Sequence, residues 1–322
     1  MSRLPLSVIV AFHDMQREAP RTLHSLSPGY QRGVSADDYE VLAVDVGSEP
    51  ALEDEYVRAA GPRSRLLRFP RGPSPAAAIN AAVAESRGDA VMVCIDGARI
   101  LSPGIVRWAL AALRGFADPL VATVSWHLGP KVQHESMLEG YGQAAEDRLL
   151  DSIDWRRDGY ALFTVSSLAQ SSRAGWLGPI GESNCMALRR DSWHRLGGYD
   201  ERFTSPGGGF VNPDFFNRAC GLLGQPVILL GEGTFHQFHG GVATNVPRVG
   251  QPLKAMAEEY KLLRGGPFTQ ARVQPTLLGG FHETTGPWLA RAVEAALAAG
   301  APPGQSTDQP VAASPQANSS ST

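Results

Sequence analysis

A small set of acidic residues and one pair of histidines stand where an α/β protein could do chemistry. Asp45 closes the run YEVLAVDV, and Asp96 follows AVMVCI and opens Asp96-Gly97-Ala98. A carboxylate at the end of a buried strand can hold a divalent cation or a polar ligand, or it can simply cap the turn that follows. His236 and His239 are spaced i, i+3 just before Gly240-Gly241. Two imidazoles can share in a metal site, although hydrogen-bonded core histidines are the more frequent finding. Asp214 follows Pro213 and the glycines at 207–209, which places it in the first turn of a helix at the mouth of a loop. There it can accept a proton from a bound hydroxyl, complement the helix dipole, or do both. Glu182 lies in Gly181-Glu182-Ser183-Asn184, ahead of another apolar run.

The elements that must position these residues are legible as a pattern. Residues 6–12 (LSVIVAF), 39–46, 64–69 and 90–95 are short apolar runs, the first of them an unbroken β-branched stretch expected of a strand buried on both faces. Helix-like stretches at 17–26, 53–60, 75–86 and 103–114 alternate with them, and Pro75 suits the start of its helix. This alternation predicts a mainly parallel sheet covered on both faces, with ligands beyond the strand C-termini, where His13-Asp14, Asp45 and Asp96 fall. Further on, strands are predicted at 121–126, 183–188 and 227–230. Helices are predicted at 191–196 and 214–223, and a charged helix or pair of helices at 135–153. Residues 252–263 and 288–299 read as two amphipathic helices. The tail, 301–322, carries a single charge, Asp308, and too little apolar surface to order.

Composition removes several classes. Apolar residues make 43% and charged residues 19% of 322, with 35 glycines and 24 prolines, which describes a globular chain rather than low complexity. Net charge is −3 and no Lys/Arg block occurs, so nucleic acid is not an expected partner. Cys94, Cys185 and Cys220 are few, scattered and odd in number, which argues against a disulfide framework and for a reducing, cytoplasmic setting. No transmembrane segment is expected, and no small-x-small cleavage site follows the first apolar run.

Taken in order, these pieces resemble the family 2 glycosyltransferases of the GT-A fold over roughly residues 5–240. The pieces are a first strand SVIVAF, a second ending at Asp45, a helix carrying Asn80, a strand ending in Asp96-Gly97-Ala98, and GGYDERF before a Gly-rich loop and an acidic helix start. The resemblance implies a Rossmann-like α/β architecture: a mixed, mainly parallel sheet with helices on both faces, plus C-terminal helices. The expected organisation is a GT-A domain at 1–245, a helical appendage at 246–300 and a disordered tail. It implies transfer of a sugar from a nucleotide-diphospho-sugar, UDP-linked by expectation, to a glycan, lipid-linked or other hydroxyl acceptor, assisted by Mn²⁺ or Mg²⁺. Polysaccharide biosynthesis is the family-level setting, and a homodimer is compatible with it.

By position, the resemblance gives Asp45, Asn80, Ser74, Asp96 and Phe12 to the nucleotide-sugar, and Asp96 with His239 or His236 to the metal. Two carboxylates usual in the family are absent: the DxD motif reads Asp96-Gly97-Ala98, and the position of the catalytic base holds Asn212. Asp214 then becomes the favoured base of an inverting reaction, with Glu182 as the other choice and retention open. A dinucleotide-dependent enzyme would need a glycine-rich turn after the first strand, and Ala11-Phe12-His13-Asp14-Met15-Gln16 has none. The competing reading is a degenerate GT-A fold serving as a binding or scaffold module, for which Ala98 and Asn212 are the best support.

Overall fold

The β-branched run near the N-terminus has no polar face, and it becomes the centre of the sheet. In the computed structural model, which describes residues 4–241 and 251–300, β1 (Leu4–Phe12) lies between β2 (Tyr39–Val46) and β4 (Gly88–Cys94), parallel to both. β3 (Ser64–Phe69) extends the parallel set beyond β2. β8 (Cys185–Arg189) runs antiparallel to β4 and to β6 (Val121–Leu128). β9 (Val227–His236) is parallel to β6, and β10 (Thr276–Gly279) is parallel to β9. With β5 (Arg99–Leu101) on β9 and β7 (Ser166–Leu168) on β6, the ten-stranded sheet has the order β10-β9-β6-β8-β4-β1-β2-β3.

Strand alternation divides the core into two layers. Leu6, Val8 and Val10 of β1 pack with Leu23 of α1 (Ala19–Ser25), Val57 of α2 (Asp54–Ala59) and Ile105 and Leu110 of α4 (Ile105–Gly115). Ile9 and Ala11 face the other way, onto Ile79 of α3 (Ala76–Glu85), Trp193 of α7 (Arg190–Leu196) and Phe215 of α8 (Val211–Leu223). Successive side chains of a strand point to opposite faces, so a β1 that is apolar throughout from Val8 to Phe12 must be covered on both. The mixed, mainly parallel sheet expected from the sequence is therefore present.

Differences arise where glycine or short length hides the pattern. The strand expected at 227–230 runs on to His236 through Gly231 and Gly233, and at Gly233 a Cβ would collide with the Trp126 indole. The charged stretch 135–153 is a pair of helices, α5 (Gln133–Ser136) and α6 (Gln143–Asp151), parted at Gly140 with its left-handed φ of 89°. β5, β7 and β10, of three or four residues, are too short to show a period. The two expected C-terminal helices are α9 (Gln251–Arg264) and α10 (Gly286–Gly300), yet β10 between them joins the main sheet. Glu259 of α9 accepts from the backbone of Thr204 and Ser205 and so ties this segment to the core. The tail at 301–322 lies outside the described residues. All three cysteines are free, with the Cys94 and Cys185 sulfurs 3.3 Å apart across β4 and β8. Among the described residues no helix is long and apolar enough to cross a membrane.

Candidate active site

Asp96 stands two residues past the end of β4, at the edge where the parallel strands finish. Its loop is fixed from three sides. Thr22 donates to the Gly97 carbonyl, the Gln237 N–H donates to the Ala98 carbonyl, and the Ala98 N–H caps Asp96 Oδ1 at 3.0 Å. Gly97 must be glycine, because a Cβ there would overlap the Phe12 ring and the Ala11 carbonyl. The pairing of β5 with β9 then sets Arg99 opposite His236 and brings the end of β9 to Asp96. His236 Nε2 lies 3.1 Å from Asp96 Oδ2, His239 Nε2 lies 3.8 Å from Oδ1, and the two Nε2 atoms are 3.2 Å apart.

The proton positions on these imidazoles follow from their partners. Gln133 Nε2 donates to the His236 carbonyl at 2.8 Å, so its Oε1 must accept from His236 Nδ1 at 2.7 Å. His236 therefore carries its proton on Nδ1 and turns the Nε2 lone pair toward Asp96, the arrangement a metal ligand needs. Gln133 also donates its backbone N–H to His127 Nδ1. Burial pushes His236 down to about 4, against the pull of Asp96 and with the help of Arg99. Burial likewise lowers His127, so both are neutral at pH 7. Burial would raise the Asp96 carboxyl, but His236, His239 and Arg99 outweigh it and hold Asp96 well below the usual carboxylate range. With His236 neutral at pH 7, Arg99 is the lasting cation beside Asp96, its Nε 3.3 Å from Oδ2.

These three donors fit a divalent ion. With bonds of about 2.1 Å, donors at right angles around an ion lie about 3.0 Å apart. The observed spacings come close to that, and all three ligand atoms lie within 4.8 Å of one another. Ala98 adds nothing, and not only for lack of a carboxylate: its side chain is fully buried in the apolar layer that contains Phe12. Both of the histidines singled out in the sequence lie beside Asp96.

The other residues assigned to the nucleotide, Asp45, Phe12, Ser74 and Asn80, make contacts within the fold. Asp45 is 2% exposed and accepts from the backbone N–H of Ser48 and Leu52, at 3.0 and 2.9 Å, so the turn-capping role open to it is the one displayed. Phe12 is buried beneath Gly97 and presents no open face. Ser74 accepts from the Ala76 N–H at the start of α3. Asn80 is tied to the loop before α8, donating to the Tyr199 carbonyl and Glu201 and accepting from the Tyr199 N–H. Past β1, Arg71 donates to His13 Nε2 at 3.0 Å and to Asp14 Oδ2 at 3.2 Å.

On the opposite flank, the pairing of Cys94 with Cys185 places residues 182–184 beyond the end of β4, beside Asp96. Asn212 donates to Glu182 Oε2 at 3.0 Å and to the Ser183 carbonyl, and accepts from the Tyr199 hydroxyl. Glu182 is half-buried, and its Oε1 has no partner among the described residues. Asp214 differs. Arg264 of α9 holds both its oxygens, at 2.6 and 2.8 Å, and Arg218 one turn on adds a third contact at 2.8 Å. Both oxygens of Asp214, the base favoured from the sequence, are thus held by guanidinium groups. A hollow of about 460 Å³ lined by Asn80, Tyr199, Asp200, Arg202, Arg218 and Arg264 opens near this pair, apart from Asp96 and the histidines.

Sequence reasoning missed Arg99, Gln133 and Arg264. Arg99 had a faint signal, following the Asp96 motif directly. The other two reach the site only through tertiary contacts.

The comparisons agree with this architecture. The family model described as glycosyl transferase family 2 matches residues 7–113. No curated protein matches the sequence significantly. Among solved structures, S. aureus TarS residues 1–349 has a TM-score of 0.50 at 13% identity, covering 73% of this chain and 60% of that one. The same TarS segment in complex with UDP-GlcNAc has a TM-score of 0.52 at 12% identity, covering 81% and 65%. Its complex with UDP gives 0.50 at 11%, covering 74% and 61%. The chain thus spans less than two thirds of these TarS chains. Residues 7–113 thus match the glycosyl transferase family 2 model, within a chain whose fold is similar to that of these TarS structures.

Proposed function

We propose that this protein is a glycosyltransferase that moves a sugar from a nucleoside-diphospho-sugar to a hydroxyl acceptor, assisted by a divalent cation. The observation that carries the reading is the convergence of Asp96, His236 and His239 at the C-terminal edge of the parallel strands of a GT-A-type fold. A bound Mn²⁺ or Mg²⁺ would supply Lewis-acid stabilisation of the departing diphosphate. Because TarS is known with UDP and UDP-GlcNAc, UDP-sugars are the first donors to try.

The protein's own groups do the remaining work. Asp45 fixes the loop after β2, the wall against which a nucleoside would lie. Asn80 holds residues 199–201, and Tyr199 in turn holds Asn212. Glu182 is the base: Asn212 anchors Oε2, leaving Oε1 to take the acceptor proton as the hydroxyl attacks. Attack from the side opposite the diphosphate inverts the anomeric centre. Asp214 instead pins α8 to α9 and shapes the acceptor side. The acceptor class is a glycan or a lipid-linked hydroxyl.

The scaffold reading loses its footing here, since Ala98 fills the apolar layer and Asn212 orients Glu182. The test is proton NMR of the sugar product: an inverted anomer supports Glu182 as base, and a retained anomer overturns that assignment.

A further inference from the structure

Arg99 is a charged group in contact with Asp96 that the reaction above does not use. It is 5% exposed, faces His236 across β5 and β9, and its Nε lies 3.3 Å from Asp96 Oδ2. Yet its Nε and Nη1 are buried without a hydrogen-bond partner. A guanidinium ordinarily spends its N–H groups on oxygens. One held this close while two of its nitrogens bond to nothing acts on the site through its charge.

The effect of that charge depends on what surrounds it. The triad contains a single carboxylate, and the position that would bring a second, Ala98, is turned into the apolar layer. Asp96 contributes one negative charge and Arg99 one positive, and an imidazole that ligates an ion does so as a neutral donor, so the ligand set together with Arg99 brings no net charge to a bound ion. Mg²⁺ and Ca²⁺ bind through oxygen ligands and depend on negative charge in the ligand set. Co²⁺ and Zn²⁺ gain more from imidazole nitrogen, with Mn²⁺ between.

We infer that Arg99 sets the ion selectivity of the triad, cancelling the charge that hard ions need so that only ions with affinity for imidazole are held. This rests on the metal-assisted reading above and narrows it, removing Mg²⁺ from the expected cofactors. Arg99 acts through Asp96 and is a positioning residue, not a catalytic one.

The test is direct ion binding to the full chain without nucleotide. Calorimetry would be run for Mg²⁺ and Co²⁺, and Co²⁺ would also be followed by its visible absorption. Wild type should bind Co²⁺ at least about a hundredfold more tightly than Mg²⁺. Arg99→Met and Arg99→Gln, which remove the charge, should tighten Mg²⁺ by about tenfold or more while Co²⁺ moves much less, and Arg99→Lys should keep the wild-type ratio. Mg²⁺ binding within about tenfold of Co²⁺ in wild type overturns the inference. So does an unchanged ratio in the neutral variants. Where those variants do not fold, the wild-type ratio and Arg99→Lys decide, and loss of discrimination in Arg99→Lys overturns it. Failure of this kind leaves sugar transfer untouched, whereas transfer that needs no ion overturns the metal-assisted reading and not the measured selectivity.

Discussion

Asp96 and Asp214 are both acidic residues at element ends, both sit beside arginines, and both carry a role in the family that the sequence resembles. Their surroundings separate them. Around Asp96 two imidazole nitrogens face the carboxylate, and Arg99 keeps two nitrogens without a hydrogen-bond partner. Around Asp214 every oxygen is taken, by Arg264 twice and Arg218 once. A carboxylate set beside two imidazole nitrogens can hold a cation, while a closed ion network holds elements together. The type of residue does not distinguish the two cases, and the partners do.

The largest effect expected from this contrast is on Asp96. Asp96→Asn should lower sugar transfer per folded molecule by more than about 10³-fold, because a weakened metal site loses several kcal/mol of leaving-group stabilisation. Steady-state rates normalised to the folded fraction check this. Asp214→Asn should do the reverse. It leaves Arg264 and Arg218 facing a neutral amide, so urea unfolding should show a loss of about 3–5 kcal/mol, while transfer per folded molecule stays within about tenfold. If Asp214→Asn instead abolishes transfer without loss of stability, the distinction drawn here is wrong and Asp214 is the base.

Glu182 sharpens the comparison on the acceptor flank. Glu182→Gln keeps the hydrogen bond with Asn212 within reach but removes the basic oxygen, so kcat should fall by about 10²-fold or more with little change in donor binding. Equal kcat in the variant and wild type would return the base role to another group.

The smallest effect concerns Glu146 of α6, which is fully buried, accepts from the Phe238 N–H next to His239, and meets Arg17 at 3.2 Å. Burial raises its carboxyl from 4.5 to about 7, against the pull of the Phe238 N–H and Arg17. A carboxyl that holds its proton longer when folded adds stability that is complete below about 4.5 and is lost as pH rises through 7. The contribution amounts to up to about 3 kcal/mol across that window. Glu146→Gln should remove this slope from the difference between the two stability–pH curves. Parallel curves would show that Glu146 does not titrate there.

Much of the donor side was readable before the fold was known. Four apolar runs at regular spacing specify parallel strands, and a carboxylate at a strand end lands at the sheet edge by topology alone, which placed Asp96 correctly. His236 and His239 were legible as a pair, but their union with Asp96 depends on the register of β5 on β9, a pairing between a three-residue strand and one more than a hundred residues on. No local pattern encodes that. Arg99 reads locally as an ordinary residue after a turn and becomes the opposing charge only through the same register. Asn212 looked like a lost carboxylate, whereas its amide is what holds Glu182 and the Tyr199 hydroxyl together. The pairing of Asp214 was not legible because its partner, Arg264, lies fifty residues downstream on α9, a helix the sequence gives no reason to dock there.

The central claim is that the Asp96 triad serves a nucleoside-diphospho-sugar. The most direct measurement is release of nucleoside diphosphate from UDP-, GDP- and dTDP-sugars by the full chain, with Mn²⁺ and with Co²⁺, for wild type and Asp96→Asn. The account predicts that wild type turns over at least one donor and that Asp96→Asn turns over none. Release by neither protein from any donor, or equal release by both, would contradict it.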